Sequence, residues 1–265
     1  MNRAAEIASR PEVCIKYDDD NCANVQILDL LRPLLVDERR SVVLVGEGNY
    51  TFSVAFAVVR KSWEGFTSTR YESIDPVECP KPQFTEAKLT SIEFCINNGR
   101  WLGENTSTIL EKIAHVMNLQ PPPQENWLFG IDATNIPDSL NVCGKVVWFQ
   151  CPWVKLGTPG SPSKLIIDFL KHMGMKQSHN DYLLVGIATF FPYVKEYRLQ
   201  DILGENLSGT TDKSGKYDFL GADTALIRSI LQHGYRHQAC DANIDIHTQL
   251  LNSHITLVFQ RNAKQ

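Results

Sequence analysis

Short apolar runs alternate with segments of helical periodicity along most of the chain. Residues 41–45 are a continuous run of β-branched and apolar side chains, which is typical of a strand buried on both faces of a parallel sheet. Strand patterns recur at 67–73, 127–131, 145–149, 182–190 and 254–260. Helical spacing predicts helices over 50–60, 84–96, 106–118, 161–173 and 224–233, with another beginning at Tyr197. The alternation predicts an α/β fold: a doubly wound, mostly parallel sheet with helices on both faces.

The N-terminal segment departs from this alternation. Residues 1–24 have no clear periodicity and include an acidic run, whereas apolar residues within 24–36 recur at helical spacing. We therefore expect an N-terminal arm or helix at 1–38, followed by one α/β domain at 39–265.

The composition and charge of the chain argue against several classes of protein. Of the 265 residues, 43% are hydrophobic, which excludes wholesale disorder. No apolar run approaches the ~18–20 residues of a membrane span, and the N-terminus lacks a secretory pattern. Seven scattered cysteines without a CxxC favour a reducing compartment, so we expect an intracellular protein, cytoplasmic or nuclear and nucleolar. A net charge of −4 disfavours non-specific binding to a phosphate backbone, and we expect neither DNA nor a membrane as a partner.

A glycine turn follows the first strand, at Gly46-Glu47-Gly48. Two glycines so spaced permit a tight turn and the close approach of a ligand to backbone amides. Phe52 stands about where the dinucleotide fingerprint has its third glycine, which disfavours a pyrophosphate. A turn with purely geometric glycines is the alternative interpretation.

Acidic residues end the next two strands. Glu72 is suited to accepting hydrogen bonds from ribose hydroxyls, and Asp132 to accepting one from an exocyclic amine such as that of adenine. A solvated glutamate and an aspartate helix cap are the respective alternatives. Taken together at successive strand ends, the two acids favour a nucleoside-like ligand.

The fourth strand ends in Gln150-Cys151-Pro152-Trp153, a segment suited to holding a planar, polar ring. Cys151 invites a covalent interpretation. However, methyltransferases that attack pyrimidine C5 with a cysteine have it after the proline, so a buried structural cysteine is the better expectation. His233 and His237 lack further ligands, and we expect no metal site.

Three of these segments together resemble class I S-adenosylmethionine-dependent methyltransferases. The chain is most similar to the family typified by the large-subunit rRNA uridine-N3 methyltransferase. The turn LVGEGNYTFS at 44–53 is similar to that family's VGEGxFSFS, TRYES at 69–73 to its TxYDS, and Asp132-Ala133-Thr134 to its DAT. The family's FNFPH is Phe149-Gln150-Cys151-Pro152-Trp153 here, a departure at the substrate edge.

The resemblance implies a Rossmann-like methyltransferase sheet that binds S-adenosyl-L-methionine and releases S-adenosyl-L-homocysteine. Gly46 and Gly48 would border the methionine, Glu72 the ribose, and Asp132 with Ala133 the adenine. The other expected cofactor contacts are Glu47, Asn49, Phe52, Ser53, Ser73 and Gln150. The expected acceptor contacts are Cys151, Pro152, Trp153 and Tyr193, with Gln150 and Trp153 as catalytic residues.

Three hypotheses remain for the function, and the first two differ in the methyl acceptor. The first is N-methylation of a planar N-heterocycle such as uracil in rRNA, with RNA as partner. The second is methylation of a small-molecule amine or N-heterocycle, which Trp153 and the acidic balance favour. The third is an inactive binding partner, against which the intact strand-end residues argue. Methyl transfer mainly requires alignment and exclusion of water, with Glu47 or Gln150 available to orient or deprotonate the acceptor. Nothing in the sequence predicts the oligomeric state.

Overall fold

The computed structural model of the chain describes residues 40–47, 51–71, 127–154, 159–189, 193–199, 201–203, 217–223, 230, 235 and 253–262. The predicted arm at 1–38 and the predicted helices at 84–96 and 106–118 lie outside the described residues. Most of the predicted helix at 224–233 lies outside them as well.

One seven-stranded sheet organises the described residues, in the order β3-β2-β1-β4-β5-β7-β6. Strands β1 to β5 run parallel, whereas β7 is antiparallel to both β5 and β6. This confirms the prediction of a doubly wound, mostly parallel α/β fold. The strands are β1 Val42–Val45, β2 Phe66–Arg70, β3 Trp127–Phe129, β4 Val146–Gln150, β5 Tyr182–Ala188, β6 Tyr217–Asp223 and β7 His254–Arg261.

Two described helices correspond to predicted ones, namely α1 Thr51–Arg60 to the helix predicted over 50–60 and α2 Pro162–Lys176 to the helix predicted over 161–173. The short helix α3 Tyr193–Tyr197 and a 3₁₀ helix, Ala133–Asn135, are absent from the predicted pattern. Ser161 caps α2, because its hydroxyl accepts a hydrogen bond from the Lys164 amide, and Pro162 fits the first helical position.

Two neighbouring aromatic residues of β4 show that helices cover both faces of the sheet. Successive side chains of a strand point to opposite faces. Trp148 packs edge-on against Phe52 of α1, with ring centroids 4.9 Å apart. Phe149 packs edge-on against Phe169 of α2, also at 4.9 Å. The two helices therefore lie on opposite faces of the central strand.

A buried arginine joins β7 to α2. Arg261 is 1% exposed, and its Nε donates to the Gly174 carbonyl in the last turn of α2 at 3.0 Å. A cation at the C-terminus of a helix interacts favourably with its dipole. This contact fixes one end of the antiparallel strand to the helix layer.

Two predictions about elements are wrong. The strand β6 is absent from the predicted pattern, because its sequence YDFLGAD contains a glycine and a buried aspartate where an apolar run is expected. Tyr197 ends α3 instead of beginning a helix. Its ring is buried in the core, so it is an anchor of that short helix.

Within the described residues, no helix is both long and apolar enough to cross a membrane. The same residues contain no group of three or more histidine, cysteine or acidic side chains arranged to hold a metal ion.

Candidate functional site

The carboxyl ends of β1 and β4 lie side by side at the centre of the sheet. Val45 pairs with Phe149, and the sheet grows in opposite directions from these two strands. Such a reversal of strand order is where ligands bind in open α/β sheets. Gly46 follows β1 with φ +72°, a conformation that favours glycine, and a Cβ there would collide with the Phe149 ring. The strand-end turn is therefore built on glycine for two independent reasons.

Glu47 continues this turn into the interior. It is 6% exposed, and its amide donates to the Thr69 carbonyl of β2 at 2.8 Å. Its charge also contributes to the high pKa of Tyr235, although burial of that phenol is the larger cause, followed by Cys151. A buried acid thus stands at the carboxyl end of β1.

Phe52 and Ser53, both predicted to contact the cofactor, lie in the interface between α1 and the sheet. Phe52 is edge-on to Trp148 and to Tyr235, with ring centroids 4.9 Å and 5.0 Å away. The hydroxyl of Ser53, which is 0% exposed, hydrogen bonds to that of Ser68 at 2.7 Å. Their observed contacts are with the protein core.

Asp132 caps the 3₁₀ helix that follows β3. Its Oδ1 accepts from the backbone amide and from the hydroxyl of Thr134, each at 2.8 Å. Ala133 is buried beside it. The structure therefore contains the helix cap that was the alternative interpretation of Asp132. The cap uses one of the two carboxylate oxygens, and the other accepts no hydrogen bond from the described residues.

Gln150 is the centre of a polar cluster at the end of β4. Its Oε1 accepts from the Trp148 indole at 3.1 Å, and its Nε2 lies 2.9 Å from Nε2 of His254. The same amide nitrogen also lies 3.4 Å from the Tyr235 hydroxyl oxygen and 3.3 Å from the Cys151 sulfur, and its two hydrogens can serve two of these three acceptors at once. The amide predicted to bind cofactor and substrate is thus extensively hydrogen-bonded within the protein.

The turn after β4 has a strained backbone. Cys151 adopts φ +48°, which is uncommon for a residue with a side chain, and its amide donates to the Gly186 carbonyl at 2.9 Å. Cys151 and Pro152 are both buried. Strain held by surrounding contacts is common at functional sites.

Trp153, which follows the two buried residues of this turn, is partly exposed. Its ring lies edge-on to that of Tyr197, with centroids 6.0 Å apart. Tyr193 begins the same short helix, α3, but its side chain is outside the described residues.

Four other predicted site residues, Gly48, Asn49, Glu72 and Ser73, also lie outside the described residues. Conversely, the structure brings His254 and Tyr235 to the site, and the sequence interpretation missed both. His254 opens the last predicted strand, but the sequence pattern does not show that this strand runs antiparallel to β5 and so begins beside the end of β4. The sequence contains no signal for Tyr235 either.

Comparisons with known proteins find similarity in structure and none in sequence. No protein-family model and no curated protein matches the sequence. The 16S rRNA (adenine(1408)-N(1))-methyltransferase from Catenulisporales acidiphilia superposes with a TM-score of 0.44 at 13% identity, over 95% of this chain and 97% of that one. An rRNA methylase from Streptococcus thermophilus gives 0.38 at 10% identity, over 89% and 97%. SMU.1697c from Streptococcus mutans, in complex with SAH, gives 0.39 at 9% identity, over 88% and 97%.

Proposed function

We propose that the protein is an S-adenosylmethionine-dependent methyltransferase. The observation that carries the proposal is the sheet. Its order β3-β2-β1-β4-β5-β7-β6, with β7 antiparallel, resembles that of class I methyltransferases. Because a fold alone does not determine function, the proposal also needs a site with matching chemistry.

The described strand ends have chemistry that suits this cofactor. S-adenosylmethionine carries an ammonium, a sulfonium, ribose hydroxyls and an adenine amine, which are cations or hydrogen-bond donors. The strand ends offer anions and acceptors, namely the buried Glu47 after β1 and the second carboxylate oxygen of Asp132 after β3. Gly46 allows the backbone to turn sharply between them. Glu47 would face the ammonium group of the methionine, and Asp132 the adenine.

For the acceptor, we propose a planar N-heterocycle such as uracil in rRNA. Trp153 supports this, because a partly exposed indole braced by Tyr197 offers a flat surface beside the end of β4. A small-molecule N-heterocycle is the second candidate, and the net charge of −4 favours it, since phosphate contacts need basic side chains.

The cofactor supplies the methyl group, and the residues of the chain supply alignment. Transfer needs the nucleophile, methyl and sulfur in line, in a site that excludes water. Gln150, whose amide is bonded to Trp148 and His254, acts by holding the turn that carries Trp153. Glu47 is the acid available near the methionine end to orient the acceptor.

Calorimetry tests cofactor binding directly. We expect S-adenosylmethionine and S-adenosylhomocysteine to bind and NAD to bind far more weakly, because the turn lacks the third glycine. Gly48→Arg should abolish binding of both, with unfolding monitored to confirm that the variant is folded. Unchanged affinity in that variant would refute the assignment of the glycine turn.

A labelled methyl donor, incubated with fractionated RNA and with metabolites, identifies the acceptor. We expect Trp153→Ala to reduce turnover while leaving cofactor affinity unchanged, because the residue lies on the acceptor side. Met175→Ala, at an exposed position of α2, is the matched surface control. Because the net charge is −4, bulk RNA should bind weakly and with little salt dependence, so the two acceptors are distinguished by whether the label enters rRNA or a metabolite.

A further inference from the structure

A row of polar positions crosses the carboxyl edge of the sheet on the face covered by α1. Gln150 of β4 pairs with Gly186 of β5, Gly186 with Thr256 of β7, and Thr256 with Asp223 of β6. His254 lies two residues before Thr256 and therefore points to the same face. Thr256, Asp223 and His254 are all at most 3% exposed. Burying polar groups costs free energy unless they are hydrogen-bonded, and within this row Gln150 and His254 meet that need by bonding to each other.

The hydrogen bonds within this row have a defined direction. An indole N–H can only donate, so the Trp148 contact identifies the Gln150 oxygen and directs the Gln150 NH₂ group towards His254. Nε2 of His254 must then accept, which makes the imidazole neutral, with its proton on Nδ1. The histidine is thus a fixed acceptor for the Gln150 amide.

The glycine between these two side chains makes their contact possible. A Cβ at Gly186 would overlap the Gln150 Oε1 atom and would lie 2.8 Å from Nε2 of His254. Any larger residue at this position of β5 would force the amide and the imidazole apart. The hydrogen bond between Gln150 of β4 and His254 of β7, the bridge between these strands, therefore crosses β5 at a glycine, the one residue type without a Cβ to collide with it.

We propose that His254 is a positioning residue for the acceptor side of the site, an inference that rests on the proposed function. By accepting from Gln150, His254 ties the end of β4 to β7. Gln150 in turn donates to the sulfur of Cys151, whose backbone is in the strained left-handed conformation. Release of the amide removes a contact that holds this conformation, and the turn that presents Trp153 relaxes.

Fluorine NMR of the full chain, labelled with 5-fluorotryptophan, measures this directly. The chain has five tryptophans, and Trp153→Phe assigns the resonance of Trp153. We expect His254→Leu to shift or broaden that resonance while the resonance of Trp63, buried elsewhere in the core, stays unchanged. His254→Gln should return the Trp153 resonance to its wild-type position, because a glutamine oxygen can accept a hydrogen bond near the former position of Nε2.

Two further variants separate positioning from general damage. Gly186→Ala perturbs the bridge from β5 and should reproduce the effect of His254→Leu, which keeps the test decisive if the leucine variant does not fold. Thr256→Val is the matched control, since its buried hydroxyl has no hydrogen-bond partner among the described residues. With a methyl acceptor in hand, kcat/KM for that acceptor should fall roughly ten-fold in His254→Leu, while the KM for S-adenosylmethionine stays unchanged.

Each result has a distinct meaning. An unmoved Trp153 resonance in both His254→Leu and Gly186→Ala overturns the positioning role. Equal shifts in His254→Gln and His254→Leu, or the same shift in Thr256→Val, overturn it as well. Absence of S-adenosylhomocysteine binding by the wild-type protein refutes the proposed function instead, because the resonance is measured without cofactor.

Discussion

Replacing Asp132 by asparagine separates the two roles that its carboxylate can combine. Oδ1 accepts from the amide and hydroxyl of Thr134, and no hydrogen bond reaches Oδ2 from the described residues. Asparagine keeps an oxygen for the cap and converts the other position into an NH₂ donor. Because the Thr134 amide can only donate, the new side chain is oriented with its oxygen towards Thr134 and its NH₂ group outwards.

The expected magnitudes differ for folding and binding. Aspartate and asparagine are equivalent caps, so Asp132→Asn should leave the free energy of unfolding nearly unchanged, whereas Asp132→Ala should cost about 1 kcal/mol. If Oδ2 accepts from the adenine amine, the asparagine opposes donor with donor. A hydrogen bond to a charged group contributes roughly 1.5–3 kcal/mol, so S-adenosylhomocysteine should bind roughly 10- to 150-fold more weakly.

Calorimetry with two ligands makes the test specific. S-inosylhomocysteine carries a carbonyl oxygen in place of the amine, so Asp132→Asn should bind it better than wild type does, which reverses the preference. Thermal unfolding of the same samples controls for the cap. Equal affinity of wild type and Asp132→Asn for S-adenosylhomocysteine would refute adenine recognition and leave Asp132 as a cap alone.

Three further predictions concern residues of the core and the first turn. Gly46→Ala should destabilise the fold by at least 1–2 kcal/mol in denaturant titrations, because its left-handed backbone and the Phe149 ring both exclude a Cβ; wild-type stability would contradict this. Ser53→Ala should cost about 1–3 kcal/mol by leaving Ser68 unsatisfied, and the double alanine variant should recover most of the loss; wild-type stability of the single variant would contradict this. Burial lowers the pKa of His172 in the folded protein below its usual value of about 6.5, so just below that pH the unfolded state binds more protons than the folded state. The free energy of unfolding should therefore fall as the pH falls through this window. A His172→Gln variant with the same pH profile as wild type would refute this.

The central strands and their helices were predictable from local pattern. The run at 41–45 corresponds to β1 Val42–Val45, and the strand predicted at 182–190 to β5 Tyr182–Ala188. Both strands are buried on two faces, so nearly every side chain is apolar and the signal is strong. The edge strand β6 has polar and glycine positions, and its local pattern is correspondingly weak.

The site was predictable only as far as strand ends identify it. Parallel strands bring their carboxyl ends to one edge, so Gly46 and Gln150 were both expected to contact a cofactor at that edge. The partner of Gln150 was not, because His254 is 104 residues away in sequence and arrives on an antiparallel strand. Local patterns contain no information about pairings over such separations. The sequence therefore predicted Gln150 as a site residue but not its contacts with Tyr235 and His254.

The insertion of β7 between β5 and β6 has a consequence for synthesis on the ribosome. Of the described strands, β6 pairs only with β7, which emerges later, so β6 has no described neighbour when it leaves the exit tunnel. Among the described strands, β7 is also the one that covers the apolar edge of β5, and an uncovered strand edge can pair with other chains. Because His254 is the first residue of β7, the event that closes this edge also completes the contacts of Gln150. Pairing of β7 with β5 therefore both covers this edge and brings His254 to the site.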